Sequence, residues 1–463
     1  MNIKKIASFA IGPIGGAALG FITLPIITWY FSVEDIGRIA LLNVILGLCT
    51  LFFSFGLDQA YVREYHEYED KSLLFKMTIL PGLLCLLCAG GILVLTQDFI
   101  SVLLFDIESP LVNILIVVCV IATFIARFLS LILRMQEKGL AFSMSQLLPK
   151  ILFLFVIGFY ILKNTEFVFL QLLYATTASI LFVCLVYAWN TRNEWTQSIG
   201  AKIDKQKIKE MLKYGVPLIF GGVAYWGLNS LDRFFLKYYS DYTELGIYSV
   251  SVSFAAVAVI LQSVFSTVWA PTVYKWVKDG ENLDKIHQVS EYILYAVVAI
   301  FSLVGMFSWI IDFILPAHYA DVRYIVIACL GAPLLYTLSE TTVVGINVMR
   351  KTKFSLFAAC GALVVSMSAN ILLIPAFGAT GAAISSCIAF FIFFILRTEF
   401  SILVWKPIPR LKLYFCTIIA IFLAILSAIF KGKFANFCII AWFSLFVAVL
   451  FLSYKTYKKS KIA

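Results

Sequence analysis

The chain is 463 residues long, with 62% hydrophobic residues, 13% charged residues and a formal net charge of +10 at pH 7. Soluble domains are about half apolar and a quarter charged, so this composition excludes a soluble globular protein. Apolar runs of about 20 residues, the length that spans a bilayer as a helix, recur along the whole chain. We therefore predict an all-α polytopic membrane protein.

The hydrophobic runs predict about 14 transmembrane helices. In chain order they cover residues 7–31, 38–58, 74–97, 111–134, 144–163, 168–189, 214–239, 245–271, 289–315, 322–349, 354–375, 380–404, 411–430 and 435–454. The basic start and apolar run of the first segment are typical of a signal peptide. The apolar stretch continues to Phe31 without a convincing cleavage site, so we interpret it as a retained first span. No predicted linker is long enough for a sizeable extramembrane domain.

The basic residues of the loops predict the orientation of the chain. With the N-terminus inside, the cytoplasmic loops and termini collect about 26 Lys and Arg residues and the opposite side about five. Both termini are therefore expected in the cytoplasm. The excess positive charge follows from this topology and from contact with anionic lipid headgroups, and we expect no nucleic-acid partner.

Two halves of the sequence resemble each other. The segments "VEDIGRIALLNV" and "YTELGIYSVSVS" follow the first and the seventh predicted span and align Gly37 with Gly246. A similar separation, about 210 positions, relates Phe142 to Phe354. We predict two parallel six-helix repeats, residues 1–197 and 214–404. A basic amphipathic cytoplasmic linker, residues 198–213, joins them, and two extra helices with a basic tail, residues 405–463, follow.

Charged residues interrupt several of the predicted spans. They are Asp58 at the end of span 2, Arg127 in span 4, Lys150 in span 5, Asp232, Arg233 and Lys237 in span 7, Glu340 in span 10, and Arg397 and Glu399 in span 12. Each charge at the centre of a lipid-facing helix costs about 2.5–3.5 kcal/mol, so most of them must face protein or water. Helical spacing places Asn229 with Asp232 on one stripe, and Thr123, Arg127 and Ser130 on another. These stripes predict a polar cavity.

Several of these residues have a structural interpretation beside the functional one. Asp232 would neutralise Arg233, or act in ion coupling. Glu340 would carry a proton, or serve as an ion-pair partner. Long side chains near span ends reach the interface at little cost, an interpretation that we favour for three residues, Lys237, Arg397 and Glu399.

Prolines and glycines occur together in spans 1 and 7. Pro13 and Pro25 lie in the first span, and Pro217 lies in the seventh. Proline removes a helical hydrogen bond and permits a kink, which predicts hinges for a conformational cycle. Close helix packing through small residues explains the same pattern.

Metal and cofactor sites are not expected. Cys85 and Cys88 have CxxC spacing but no partner pair or nearby histidine, and the three histidines, His66, His287 and His318, fall in loops. The sequence contains no phosphate-binding GxxxxGK[ST] loop.

The segments "FGLDQAYVREYHE", "NSLDRFFLKYYSDYTELGIYSVSVSFA" and "GINVMRKTKFSLF" resemble the polysaccharide-transporter branch of the MOP exporter superfamily. The most similar group is the Wzx-type O-antigen or capsule repeat-unit flippases. The resemblance implies two six-helix bundles in a V around a cationic lumen. It also implies flipping of an undecaprenyl-diphosphate-linked oligosaccharide across a bacterial inner membrane.

The resemblance further implies roles for individual residues. Arg127, Lys150, Arg233 and Lys237, with Asn229 beside them, would contact the anionic headgroup and sugars. Acidic residues would be charge partners or couple transport to H⁺ or Na⁺, namely Asp232, Glu340 and Asp58. A polysaccharide polymerase and a chain-length regulator are the implied partners. Many such flippases have 12 spans, whereas this sequence predicts 14, which leaves open a lipid-tail groove like that of peptidoglycan-precursor flippases.

Three other functions remain alternatives. A flippase for lipid II or a teichoic-type precursor would need the same headgroup chemistry. A cation or drug antiporter of the same superfamily would want acidic residues deep in the first bundle, and span 1 has none. A polysaccharide polymerase would need a sizeable periplasmic loop, whereas the longest outer loop is roughly "QDFISVLLFDIESP". We therefore expect a transporter and not an enzyme.

Overall fold

The computed structural model describes the backbone of residues 3–163, 165–200, 202–280 and 284–462. Its description of side chains leaves out residues 1–11, 13, 14, 435 and 459–463 as well. Over these ranges the chain forms helices and no strands. The helices of the first half are α1 (Ile3–Tyr30), α2 (Val33–Phe53), α3 (Leu57–Glu64), α4 (Lys71–Leu95), α5 (Phe99–Phe105), α6 (Pro110–Met135), α7 (Gly139–Leu162), α8 (Phe169–Asn190) and α9 (Arg192–Gly200).

The long helix α10 (Lys205–Tyr239) connects these to the second half. There follow α11 (Tyr242–Ala255), α12 (Val257–Lys278), α13 (Asp284–Phe307), α14 (Ile311–Ile314), α15 (Val322–Cys329), α16 (Gly331–Thr342), α17 (Val344–Val348), α18 (Lys353–Val404), α19 (Leu411–Phe430) and α20 (Ala435–Ile462). Short 3₁₀ turns occupy Ser308–Ile310 and Ala317–Tyr319.

Each of the 14 predicted spans lies on helical structure, which confirms the all-α polytopic prediction. Among the residues described, eleven helical segments are long and apolar enough to cross a membrane. One of them, the 52-residue α18, contains the predicted spans 354–375 and 380–404. Gly378 separates these two parts with a non-helical φ of 52°. The first predicted span contributes a shorter apolar stretch at Gly15–Tyr30, and the seventh lies in α10.

The second predicted span ends five residues earlier than expected. α2 stops at Phe53, and the chain turns before α3 starts at Leu57, so Asp58 belongs to the first turn of a separate short helix. The turn requires glycine because Gly56 has a φ of +68°, in the left-handed region. A Cβ atom on Gly215 of α10 would lie 2.7 Å from the Gly56 carbonyl oxygen, so two backbones meet here without side chains between them.

The predicted linker, residues 198–213, is not a helix of its own. Its residues from Lys205 onward form the first turns of α10, which continues through Pro217 to Tyr239. Glu64 of α3 lies 2.8 Å from Lys207 Nζ, and this hydrogen bond is the main cause that raises the pKa of Lys207, outside the membrane-spanning part of α10. The start of α10 is thus held against α3.

The chain divides into two compact units, Met1–Trp226 and Gly227–Ala463, with the division inside α10. In the first unit α1 packs mainly on α7, and α6 packs on α8. In the second unit α13 packs on α20, and α16 packs on α18. The sequence duplication and its boundaries stay predictions.

The two C-terminal helices are packed into the second unit. Trp442 of α20 is fully buried, and a Cβ on Gly305 of α13 would lie 2.6 Å from its indole ring. The Trp442 indole donates to Ser427 Oγ of α19 at 3.3 Å. Lys412 of α19 pairs with Glu291 of α13 at 3.0 Å. The packing of Trp442 on Gly305 holds α20 against α13, and the Lys412–Glu291 ion pair holds α19 against α13.

Candidate functional site

A cavity of about 430 Å³ with both polar and apolar lining lies within the first unit, between α2, the start of α3, α6 and α8. The residues around it are Gly47, Thr50, Leu51, Ser54, Asp58, Thr123, Ala126, Arg127, Ser130 and Tyr187. Thr123, Arg127 and Ser130 share one face of α6 because they are spaced four and three residues apart. The structure therefore brings the predicted polar stripe of span 4 to a cavity.

Arg127 and Asp58 form the ion pair of this cavity. Arg127 Nη2 lies 3.0 Å from Asp58 Oδ2, and the side chains are 43% and 11% exposed, respectively. Asp58 lies in the first turn of α3, where the helix dipole favours a carboxylate. The side chain of Gln59 donates to the same Oδ2 atom at 3.3 Å. The carboxylate is held in place, whereas the guanidinium is presented to the cavity.

The guanidinium retains hydrogen-bonding capacity. An arginine side chain carries five N–H groups, and the ion pair with Asp58 is made through Nη2. Nearby, the hydroxyl of Thr123 is buried and has no hydrogen-bond partner among the described residues. Because this hydroxyl oxygen is itself inaccessible, the group that the cavity presents to a ligand is the guanidinium. The cavity can therefore bind an anion through the guanidinium of Arg127.

Other hydroxyl groups of the cavity already make hydrogen bonds within the protein. Ser130 Oγ donates to the Arg127 carbonyl at 2.7 Å, and Thr50 Oγ1 donates to the Leu46 carbonyl at 2.7 Å. The hydroxyls of Tyr187 and Ser145 lie 2.8 Å apart. Sequence reasoning missed Tyr187 and Thr50, because a single polar residue in an apolar span gives no signal of the face that it shares with another helix.

Lys150 lies apart from this cavity, at the contact between α7 and α1. Its ammonium donates to the carbonyl of Gly16, and a Cβ on Gly20 would lie 3.2 Å from Nζ. Gly16 and Gly20 of α1 thus leave room for the lysine side chain, and its ammonium group is hydrogen-bonded to a backbone oxygen. Of the predicted hinges in α1, Pro25 lies within the helix, whereas the side chain of Pro13 is outside the described residues.

In the second unit, Asp232 and Arg233 are paired locally. Asp232 is 4% exposed and accepts a hydrogen bond from the Tyr248 hydroxyl of α11. Arg233 Nη1 lies 3.4 Å from Asp232 Oδ1 and donates to the Asn229 carbonyl at 3.2 Å. The Tyr248 ring lies 5.5 Å from the guanidinium. Asp232 and Arg233 therefore pair with each other inside the second unit, and the role of Asp232 stays a prediction.

A second buried pair joins α16 to α18. Arg397 Nη2 lies 2.8 Å from Glu340 Oε1, and Arg397 Nη1 donates to Ser339 Oγ at 2.7 Å. The guanidinium lies against the rings of Tyr336 and Phe393, at 5.3 and 5.0 Å. The expectation that Arg397 reaches the membrane interface is wrong, because its side chain is only 9% exposed and its charge is paired with Glu340 inside the unit.

The two other residues expected near span ends lie closer to the surface. Glu399 pairs with Arg410 at 2.6 Å, with both side chains more than a third exposed. Lys237 lies in the last turn of α10, 5.9 Å from the ring of Tyr242. A cation in the last turn of a helix is favoured by the helix dipole. In the described part of the chain, no group of three or more His, Cys, Asp and Glu residues could hold a metal ion.

Comparisons with known proteins agree with this architecture. A family model described as polysaccharide biosynthesis protein matches residues 3–277, more than half of the chain. No curated protein sequence matches the chain. Among solved structures, the lipid II flippase MurJ in an inward closed conformation has a TM-score of 0.69 at 15% identity, covering 96% of this chain and 98% of MurJ.

A multidrug resistance MATE family transporter of the MOP superfamily, in an inward-facing conformation, has a TM-score of 0.60 at 15% identity. That likeness covers 84% of this chain and 94% of the transporter. At these identities the structural likeness defines the fold alone. The chain belongs to the polysaccharide biosynthesis protein family and has the fold of MOP-superfamily transporters.

Proposed function

We propose that this protein is a flippase for an undecaprenyl-diphosphate-linked oligosaccharide, the repeat unit of an O-antigen or capsule. It moves this lipid from the cytoplasmic to the periplasmic leaflet of a bacterial inner membrane by alternating access, with both termini in the cytoplasm. Family membership supports the link to polysaccharide synthesis, and the fold supports a transporter. The distribution of Lys and Arg supports the orientation.

The observation that carries the proposal is the half-exposed Arg127 in the cavity of the first unit. A diphosphate is an anion with several acceptor oxygens, and arginine binds phosphate with two parallel hydrogen bonds. The carboxylate of Asp58 is engaged by Arg127 and is not offered to a cationic drug, which argues against the antiporter alternative. The cavity therefore suits the phosphate-bearing part of a lipid-linked sugar.

Other residues are assigned roles within this proposal. Further contacts to the headgroup or glycan come from Lys150, Asn229, Arg233 and Lys237, and bending during the cycle occurs near Pro13, Pro25 and Pro217. The buried carboxylate of Asp232 is the proposed site of coupling to H⁺ or Na⁺, and Glu340 is the charge partner of Arg397. A polysaccharide polymerase and a chain-length regulator would act on the flipped product.

A flippase for lipid II or a teichoic-type precursor is the second candidate. The structural likeness to the lipid II flippase extends over 96% of this chain, against 84% for the MATE transporter. These precursors carry the same kind of phosphate linkage, so Arg127 would serve them equally. Rescue of cells depleted of their own lipid II flippase would favour this candidate over the repeat-unit cargo.

The proposal is tested in the host with this gene deleted, in a background where blocked export is survivable. Lipid-linked oligosaccharides are labelled with a membrane-impermeant reagent that reaches only the periplasmic face. We expect single repeat units trapped on the cytoplasmic side, and their release when the wild-type gene is restored. Single units outside the membrane would overturn the proposal and point to a polymerase or to another cargo.

Two variants of one residue refine this experiment. Arg127→Ala removes hydrogen bonds to a charged group, each worth about 1.5–3 kcal/mol, so export should fall by at least about tenfold. Arg127→Lys keeps the charge but lacks the planar fork, so it should restore part of the export. Equal export by wild type and Arg127→Ala, at equal protein levels, would remove the cavity from the mechanism.

A further inference from the structure

The two side chains of the Arg127–Asp58 ion pair differ strongly in solvent exposure. Asp58 is 11% exposed and Arg127 is 43% exposed, although the two groups are in contact at 3.0 Å. By contrast, the pair of Arg397 with Glu340, which also joins two separate helices, is closed on both sides at 9% and 12%. A ligand can therefore reach the cation of the first pair, whereas the cation of the second is enclosed by its own unit.

Asp58 cannot easily leave this position. It belongs to the first turn of α3, and the turn before α3 is fixed where Gly56 meets the backbone of Gly215. Gln59 also donates to the carboxylate that pairs with Arg127. An anion that binds the guanidinium of Arg127 must then stay within a few ångströms of a fixed negative charge. Two like charges at this distance repel each other strongly in a partly desolvated site.

We propose that Asp58 acts as a built-in competitor of the substrate diphosphate, which keeps binding at Arg127 weak enough for release. This inference rests on the proposed function. When the diphosphate arrives, Arg127 exchanges its bond to Asp58 for bonds to phosphate oxygens. When the diphosphate leaves, the carboxylate of Asp58 takes the guanidinium back, so the empty site contains no uncompensated charge. Asp58 is therefore a positioning residue that sets affinity, and Arg127 is the binding residue.

The test uses the purified full-length protein in detergent micelles, with undecaprenyl diphosphate as the probe. Uncharged undecaprenol serves as the probe without a headgroup. Removal of the competing charge in Asp58→Asn should tighten binding of the diphosphate by about tenfold. Arg127→Ala should weaken it by at least about tenfold. Binding of undecaprenol should be the same in all variants.

Glu64→Gln is the matched control, since it makes the same change of charge on the same short helix. Glu64 pairs with Lys207 at the other end of α3 and is not part of the cavity lining. The affinity of Glu64→Gln for the diphosphate should stay within about twofold of wild type, because Glu64 lies six residues further along α3, about 9 Å away, and outside the cavity lining. If Asp58→Asn is poorly folded, Asp58→Ser replaces it, since serine is well tolerated at the start of a helix.

The outcomes separate this inference from the proposed function. Tighter binding in the Asp58 variants, with an unchanged Glu64→Gln, supports the competitor role. Binding that is unchanged or weaker in the Asp58 variants would overturn it and leave Asp58 as a residue that only orients Arg127. A wild-type protein that binds undecaprenyl diphosphate no better than undecaprenol would overturn the proposed function itself.

Discussion

Arg397 Nη2 of α18 lies 2.8 Å from Glu340 Oε1 of α16, with both side chains enclosed by the second unit. The Glu340 carbonyl also accepts a hydrogen bond from the Trp269 indole of α12 at 3.0 Å. One residue thus ties three helices together, through its carboxylate and its backbone. Charges buried in this way hold a structure only as long as both partners remain.

The first prediction concerns this pair. Arg397→Met leaves Glu340 buried without its partner and should destabilise the protein by about 3–5 kcal/mol. The double variant Glu340→Leu with Arg397→Met removes both charges and should recover most of that loss. Heating in detergent, followed by size-exclusion chromatography of the surviving folded fraction, measures the order of stability. Arg127→Met, which breaks the half-exposed pair, should cost less; a larger loss there would contradict the difference in burial.

A second prediction concerns the backbone contact between Gly56 and Gly215. A Cβ on Gly215 would lie 2.7 Å from the Gly56 carbonyl oxygen, so Gly215→Ala should force α3 and α10 apart and cost about 1–3 kcal/mol. Gly91→Ala in α4 is the control, because a Cβ there meets no atom within 4 Å. That variant should be neutral or more stable by up to about 1 kcal/mol, as alanine favours helix. Equal effects at the two positions would refute the steric argument.

A third prediction concerns Asp232 and ion coupling. Asp232→Asn keeps the shape of the side chain but removes its negative charge, so a proton or sodium gradient should no longer accelerate transport in proteoliposomes. Binding of undecaprenyl diphosphate should persist. Asp284→Asn, the same change at a side chain that is 70% exposed, is the control and should still respond to the gradient. A full response in Asp232→Asn would exclude this residue as the coupling group.

A fourth prediction concerns the docking of the last two helices. Trp442 fills the space above Gly305 and is fully buried, so Trp442→Ala should leave a cavity and cost about 3–5 kcal/mol. Trp189→Ala serves as the comparison, because Trp189 is 70% exposed and its ring stacks against the Arg192 guanidinium at 4.8 Å. Its effect should stay below about 1 kcal/mol. The same folded-fraction assay after heating distinguishes the two outcomes.

The sequence by itself determined the class of the protein and the course of its helices. Runs of about 20 apolar residues must form helices in a bilayer, because every backbone hydrogen bond has to be made within the segment. The same runs make any charged residue conspicuous, which is how Arg127, Asp232 and Glu340 were found. The spacing of Thr123, Arg127 and Ser130 then predicted the face of α6 that borders the cavity.

The tertiary structure decided which charges meet. Asp58 and Arg127 are 69 positions apart, and no local pattern relates one to the other. Their contact depends on the break at Gly56, which starts α3 beside α6 in place of a longer α2. The prediction that Arg397 reaches the membrane interface is wrong for the same reason. Periodicity gives the face of one helix on which a residue lies, whereas the burial of that residue depends on the helix that packs against this face. Contacts between distant segments depend on how the helices pack in the bundle. This packing leaves the side chain of Arg127 accessible from the cavity and buries the side chain of Arg397.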